Sequence, residues 1–375
     1  MKKICFVLTA EFPVKAFLLS HLRALAEFYE VTVIVNTNNP NFLAEQGVSA
    51  KVIPLAIARN VSLFSDFYCL IKLIKIFHRE RFAAVHSVTP KAGLLAMLAA
   101  WIVCVPLRVH TFTGQVWATK EGIKRFLLKQ VDCLIASLTT HNLVDSPSQR
   151  QFLLDEKVMS SAKSIVFAKG SISGVDLAKF KPNLQARVSI RQQFDIPTEA
   201  VVFLFIGRLT RDKGVLDLAE AFISLNAKQV FLLYVGPDEQ NMQTEITLRC
   251  GGNNSNLLFV GHTDTPESCM AAADVLCLPS YREGFGSVVI EAAAAGIPAI
   301  ASRIYGIIDA VVDGETGLLH KSHNIAEIKD CMEQLLADKT RRIKFGEQAR
   351  MRAVRDFDSH LITQAWLDFY RENLI

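Results

Sequence analysis

YREGFGSVVIEAAAAGIPAIAS, residues 281–302, sets two glutamates, Glu283 and Glu291, eight positions apart across a Gly-Phe-Gly turn. The run before it, ADVLCLPS (273–280), reads as a buried strand, and a helix is expected from about Ser287. Gly296 suits the left-handed geometry of a helix C-terminus, and Pro298 stops the helix there. The first-turn N–H groups of such a helix lack intrahelical partners, and its dipole adds positive potential. Gly284 and Gly286 let an anion approach the backbone closely, so the N–H groups from Phe285 through Ser287 to Val288 form a phosphate site. Glu291, a turn further in, is spaced to accept hydrogen bonds from ribose hydroxyls. Glu283 stands just before the phosphate site, where a transferred group would lie. The plainer alternative makes both glutamates surface charges on a helix end, but spacing, glycines and context agree on a nucleotide.

A second stretch points the same way. VVFLFIGRLTRDKG (201–214) is a strand ending at Gly207, followed by Arg208, Arg211 and Lys213. Cations at a strand's carboxyl end suit a diphosphate, and without a metal they also stabilise its charge as it departs. Arg208 and Lys213 are assigned that role, with Arg211 as a solvated loop charge. YVGPDEQ, around Gly236, and VGHTDTPE, around Gly261 and His262, are further strand-to-helix turns and the natural place for base and ribose. His262 is equally readable as a base contact or as a structural loop residue.

These turns belong to a repeating pattern. In the second half, strands are expected in AVVFLFIGRL, KQVFLLYVG, NLLFVGH, ADVLCLPS and GIPAIAS, with helices such as GVLDLAEAFISLNAK between them. In the first half, KICFVLTA, VTVIVNT, AAVHSV, LRVHTFT and VDCLIASL read as strands, and AFLLSHLRALAEFY and SDFYCLIKLIKIFHRE as helices. Two such series predict an α/β protein of two doubly wound, Rossmann-like domains with a ligand cleft at the carboxyl ends of their strands. The join is expected in SGVDLAKFKPN (173–183), which gives domains of 1–178 and 179–353 followed by a C-terminal helix, 354–375.

A chain of 375 residues fits two cores, and 50% hydrophobic with 21% charged residues is ordinary for a globular protein. Eight scattered cysteines without a C-x-x-C pair argue against a disulfide framework or zinc site and fit a reducing compartment. GLLAMLAAWIVCVPL (93–107) is short for a bilayer span and reads as a buried helix. No secretory signal is apparent. The net charge of +4 divides unevenly, since residues 1–180 carry 21 Lys and Arg against 12 Asp and Glu. Lys72, Lys75 and Arg79 form one basic set at helical spacing, and Lys120, Lys124 and Arg125 another. Such helices fit an anionic membrane surface or an ordinary solvated face. HSVTPKAG (86–93) lies at a first-domain strand end, where His86 and Lys91 are expected to touch donor or acceptor sugar, or to be a loop histidine and a helix-start lysine.

EGFGSVVIE together with GRLTRDKG resembles glycosyltransferase family 4, and VVDGETGLL (311–319) fits the turn that follows its nucleotide site. The resemblance implies the GT-B fold, a C-terminal helix crossing back to the first domain, and retention of anomeric configuration. It also implies that Glu291 binds ribose, that Glu283 contacts the donor sugar, and that Arg208 and Lys213 hold the diphosphate. No metal or other cofactor is expected. The D-x-D at 356–358 reads as a surface feature of the C-terminal helix. In HTFTGQVW, alignment on Gly114 puts Thr113, not His110, where many relatives carry a histidine, so a general base is not evident. The chain is therefore expected to move a sugar, with an N-acetylated hexose among the candidates, from a nucleoside diphosphate, UDP by preference, to a lipid-linked saccharide. That places it in bacterial surface polysaccharide synthesis, cytoplasmic and peripheral on the inner membrane face, with no nucleic-acid partner. Rivals are a GT-B-like epimerase and a binding protein without turnover. A dehydrogenase is disfavoured, because neither first strand leads into G-x-G-x-x-G.

Overall fold

The computed structural model describes residues 1–58, 62–252 and 255–374. It divides into two units: Met1–Ser173 with Ser359–Ile375, and Gly174–Asp358. The joins fall at 173/174 and 358/359, five residues from those drawn on the sequence at 178/179 and 353/354.

In the first unit the chain runs β1 (Lys3–Val7), α1 (Glu11–Pro13), α2 (Leu19–Ala26), β2 (Glu30–Val35), β3 (Lys51–Pro54), α3 (Leu63–Glu80) and β4 (Ala84–Val88). It continues through α4 (Pro90–Ile102), β5 (Leu107–Phe112), α5 (Gly122–Leu138), β6 (His141–Val144), α6 (Pro147–Asp155) and β7 (Ser164–Ile165). The strands make one parallel sheet in the order β3-β2-β1-β4-β5-β6-β7. Being covered on both faces, they are apolar nearly throughout, and Ile4 to Val7 are fully buried.

The second unit runs α7 (Leu184–Gln193), β8 (Val201–Ile206), α8 (Val215–Ser224), β9 (Val230–Val235), α9 (Met242–Arg249), β10 (Leu257–Gly261) and α10 (Pro266–Ala272). It ends with β11 (Val275–Leu278), α11 (Ser287–Ala294), β12 (Ala299–Ser302), α12 (Ile307–Ala310), β13 (Gly317–His320), α13 (Ile325–Ala337) and α14 (Lys339–Asp356). Its sheet is also parallel, in the order β10-β9-β8-β11-β12-β13. The strand order reverses between β8 and β11, so the loops leaving those two strands emerge side by side.

The final helix, α15 (Ser359–Asn373), belongs to the first unit. Trp366 stacks on both His21 and His86, with ring centroids 4.9 and 4.8 Å away, and Tyr370 Oη meets His86 Nδ1 at 2.8 Å. Burying a Trp or Tyr of this kind contributes about 1.5–3 kcal/mol, which suffices to hold a short helix on the sheet.

Two local readings need correction. VDCLIASL (131–138) is not a strand but the last two turns of α5, and the strand follows at His141–Val144. Its buried positions, Asp132, Ile135, Ala136 and Leu138, recur at helical spacing, and packing against α4 overrides the β-branched composition. Asp356-Phe357-Asp358 does not lie within a C-terminal helix. α14 ends at Asp356, Phe357 is buried, and Asp358 forms a β-bridge with Val175 where the chain leaves the second unit. The apolar run 93–107 forms most of the buried helix α4, and among the described residues no helix is long and apolar enough to cross a membrane.

Candidate active site

The two stretches singled out above meet where the second sheet reverses its strand order. The loop after β8 ends at Gly214, whose φ is +67° and which passes so close to β11 that a Cβ would sit 2.1 Å from the Pro279 carbonyl oxygen. Only glycine accepts both that φ and that approach. Lys213, just before it, is thereby brought to Glu283, with Nζ 2.5 Å from Oε1. Ser280 Oγ donates to the same carboxylate oxygen at 2.8 Å. Two further contacts lock the loops together: Arg282 Nη2 to Asp212 Oδ2 at 2.9 Å, and the Tyr281 N–H to the Asp212 carbonyl at 2.9 Å. Burial would raise the Asp212 carboxyl, but the Thr210 hydroxyl and the Arg282 guanidinium outweigh it and hold it below its ordinary range.

Behind this pair lies the start of α11. Its N-cap is Gly286 at φ +77°, and no side chain caps it, so the first-turn N–H groups at Ser287 and Val288 point outward without a competing acceptor side chain. Gly284 is pressed from behind, because Gly306 crosses it at a distance a Cβ could not share. The Phe285 side chain is buried against Phe357, so only its backbone can serve a ligand. The assembly offers an anion one lysine and an uncapped helix start, with a carboxylate held against the lysine in the ligand's absence.

Arg208 and Gly207 leave the adjacent strand end. Arg208 Nη1 contacts Glu239 Oε2 at 2.7 Å, so this cation too is held by a carboxylate. Arg211 is exposed and paired with Glu245. Gly236 crosses Gly207 so tightly that a Cβ would lie 2.0 Å from the Gly207 oxygen, so its glycine has a packing reason of its own. His262 lies at the carboxyl end of the edge strand β10, largely exposed, 3.4 Å from Asp264.

Glu291 is half-buried, and burial lifts its carboxyl to about 7; Lys179 opposes that rise and Glu267 adds to it. Lys179 Nζ and Glu267 Oε2 are themselves 3.5 Å apart. Glu291 is thus poised between neutral and charged near physiological pH, a state its sequence context did not disclose.

In the first unit Lys91 takes the helix-start alternative, in the first turn of α4, and His86 departs from the ligand-contacting one. His86 is fully buried rather than turned toward a ligand. Its Nδ1 is occupied by Tyr370, its Nε2 meets Thr111 Oγ1 at 2.8 Å, and burial pushes its pKa far below the usual histidine value. Lys91 is paired with Asp66 at 2.6 Å. Thr113 and Gly114 follow β5, half-buried. His110 meets Ser87 Oγ at 2.8 Å, packs where Gly93 leaves room for its ring, and is brought down to about 3 by burial, so it stays neutral. Asp145, after β6, was not singled out by the sequence; it is buried, its Oδ1 is unpartnered, and burial lifts it to about 8. An open polar depression at the carboxyl ends of β1 and β2, lined by Glu11, Asn36, Thr37, Asn38 and Asn39, was also missed. Asparagines in a loop read locally as turn formers, which hides such a lining.

Comparison with known proteins agrees with this architecture. Residues 14–167 match the family model described as Glycosyltransferase Family 4, and residues 187–352 the one described as Glycosyl transferases group 1. The capsular polysaccharide biosynthesis glycosyltransferase CapM of Staphylococcus aureus is 31% identical over 90% of this chain and 88% of its own. The UDP-Gal:alpha-D-GlcNAc-diphosphoundecaprenol alpha-1,3-galactosyltransferase of Escherichia coli is 28% identical over 88% of this chain and 86% of its own. Among solved structures, Alr3699/HepE of Anabaena, in complex with UDP and glucose, superposes with a TM-score of 0.84 at 18% identity, covering 99% of this chain and all of that one. The two parallel-sheet units are those of the GT-B fold, and the chain belongs to the glycosyltransferases.

Proposed function

We propose that the chain is a retaining, metal-independent transferase of glycosyltransferase family 4, moving a sugar from a nucleoside diphosphate onto a lipid-linked saccharide. The observation that carries this reading is the Lys213–Glu283 pair beside the uncapped start of α11. A donor diphosphate takes Lys213 from Glu283 and accepts hydrogen bonds from the N–H groups at Phe285 to Val288. Arg208 turns from Glu239 to the same diphosphate, and ionised Glu291 accepts from the ribose hydroxyls. Released from Lys213, Glu283 accepts from a hydroxyl of the donor sugar.

His110 is buried, hydrogen-bonded to Ser87 and, at about 3, too weak a base to take a proton near pH 7, and the Thr113 hydroxyl is not basic there. In a retaining transfer the acceptor hydroxyl attacks the anomeric carbon on the face from which the diphosphate leaves, and without a side-chain base its proton passes to the departing diphosphate oxygen. Lys213 and the α11 amides stabilise the charge that develops there.

The E. coli relative is named for a UDP-sugar donor and a diphosphoundecaprenol-linked acceptor, and the S. aureus relative for capsular polysaccharide. On that basis UDP is the preferred nucleotide, and surface polysaccharide assembly, including O-antigen or lipopolysaccharide, the preferred setting. The Glu11–Asn39 depression, where amide and hydroxyl groups lie beside the Glu11 carboxylate, suits the hydroxyls of the acceptor saccharide. A lipid-linked acceptor keeps the enzyme peripheral at the inner membrane face.

The test is release of UDP from UDP-sugars in EDTA, with and without a polyprenyl-diphosphate saccharide. Acceptor-dependent turnover that falls about 30–1,000-fold in Lys213→Ala supports the reading. Turnover unaffected by the substitution rejects the role given to Lys213. Absence of turnover with every donor leaves a binding protein.

A further inference from the structure

Tyr281 stands two residues before Glu283, and its side chain reaches helix α8. Its hydroxyl donates to Asp217 Oδ2 at 2.9 Å. Asp217 lies in the first turn of α8, four residues after Lys213. The Tyr281–Asp217 and Lys213–Glu283 contacts are therefore two rungs between the same two segments.

The tyrosine ring is held as well. His323, in the loop between β13 and α13, stacks on it with centroids 3.5 Å apart and planes 25° off parallel. The Tyr281 N–H is fixed on the Asp212 carbonyl. Tyr281 is thus tied to the turn at 211–213, to α8 and to the loop that follows β13, two strands away from β11. Burial, and then the Asp217 carboxylate, raise its phenol above the ordinary tyrosine range, so it stays a donor near pH 7. On the other side of Glu283, Phe285 is packed on Phe357. Glu283 therefore sits between two anchored aromatic residues.

The two rungs answer a ligand differently. A diphosphate competes for Lys213 and opens the ion pair, but the Tyr281–Asp217 bond offers it no cation. With the ion pair open and the outer rung closed, the Glu283 carboxylate turns on a backbone that keeps its place, which is what a contact made within a few tenths of an ångström requires.

We propose that Tyr281, held by Asp217 and His323, is a positioning residue that keeps Glu283 in register with the donor sugar once the diphosphate has taken Lys213. The inference rests on the exchange of partners given above for Lys213 and Glu283, and extends it to a tyrosine that acts through Glu283.

The experiment compares wild type with Tyr281→Phe, which keeps the ring and its stack, with Asp217→Ala, with the two combined, and with Tyr281→Phe in a Glu283→Ala background. Each is measured for Tm, for calorimetric affinity toward UDP in EDTA, and for UDP release with polyprenyl-diphosphate N-acetylglucosamine as acceptor. UDP-glucose, UDP-galactose and UDP-N-acetylglucosamine are the donors, and the one wild type turns over fastest is carried through the series. Tyr281→Phe and Asp217→Ala should each lower kcat/KM for the donor about 10–100-fold and leave the UDP Kd unchanged. The combined variant should be no slower than either alone, because both remove the same bond. In the Glu283→Ala background Tyr281→Phe should have no further effect, since no carboxylate remains to be placed. The same comparison on the Kd of the intact UDP-sugar stays readable where turnover is too slow to follow. Unchanged donor kinetics in Tyr281→Phe overturn the inference. So does a UDP affinity that falls together with Tm, which would make the clamp purely structural, or a Tyr281→Phe effect that persists in full without Glu283. Wild type that binds no UDP would instead overturn the transferase reading.

Discussion

Replacing Glu283 with glutamine should tighten nucleotide binding while slowing transfer. In the unliganded protein Lys213 Nζ lies 2.5 Å from Glu283 Oε1, with the two side chains only 18% and 14% exposed. A charge-assisted hydrogen bond so shielded contributes about 1.5–3 kcal/mol. A diphosphate must break that bond to recruit Lys213, and it also meets the negative charge of the carboxylate. Glutamine keeps the shape and the Ser280 contact but leaves only one partner ionised instead of two, which weakens the hold on the lysine by about 1–2 kcal/mol. The difference of about 1–2 kcal/mol passes to the ligand, so the UDP Kd should fall about 5–30-fold. Titration calorimetry reads this directly, and a steady-state assay should show kcat reduced, because the carboxylate no longer meets the donor sugar. A folded variant with unchanged or weaker UDP affinity would refute the exchange: Lys213 would not leave Glu283 for the diphosphate.

Three further outcomes follow from the same geometry. Gly214→Ala forces a Cβ toward the Pro279 carbonyl at a φ of +67°, and should cost about 2–4 kcal/mol of stability, read as a lowered Tm together with lost UDP binding. Donor affinity should depend on pH: Glu291, lifted to about 7 by burial, protonates as pH falls through 7, so the UDP Kd should rise below that point in wild type and stay flat in Glu291→Gln. The first unit should be acid-labile through His21, which burial lowers to about 4 against an ordinary 6.5. A depressed pKa contributes stability that is complete above 6.5 and lost as pH falls toward 4, about 3 kcal/mol in all, and His21→Gln should flatten that part of the urea-unfolding profile.

The second unit was legible in sequence because its chemistry is local. Glu283, the glycines and the helix start lie within a dozen residues, and Lys213 and Gly214 sit together after one strand. What sequence could not show is that Lys213 and Glu283, 70 positions apart, touch before any ligand arrives. That contact follows from the strand order, which places β8 beside β11 and is not written in either segment. His86 was misread for the same reason. At a strand end it has the look of a site residue, yet its Nδ1 partner, Tyr370, is 284 positions away on the returning helix. The near-neutral carboxyl of Glu291 was equally hidden, since burial and the approach of Lys179 and Glu267 come from separate elements. VDCLIASL failed through composition: β-branched residues on an amphipathic helix imitate a buried strand when the neighbouring helix cannot be seen.

The most direct test of the central claim, that the loops after β8 and β11 form a metal-free diphosphate site, is calorimetric binding of UDP, GDP and dTDP in EDTA. Wild type should bind one of them, UDP by preference, and Lys213→Ala should bind it at least about tenfold more weakly with the fold intact. Binding that requires a divalent cation, or that is indifferent to Lys213, would contradict the site described here.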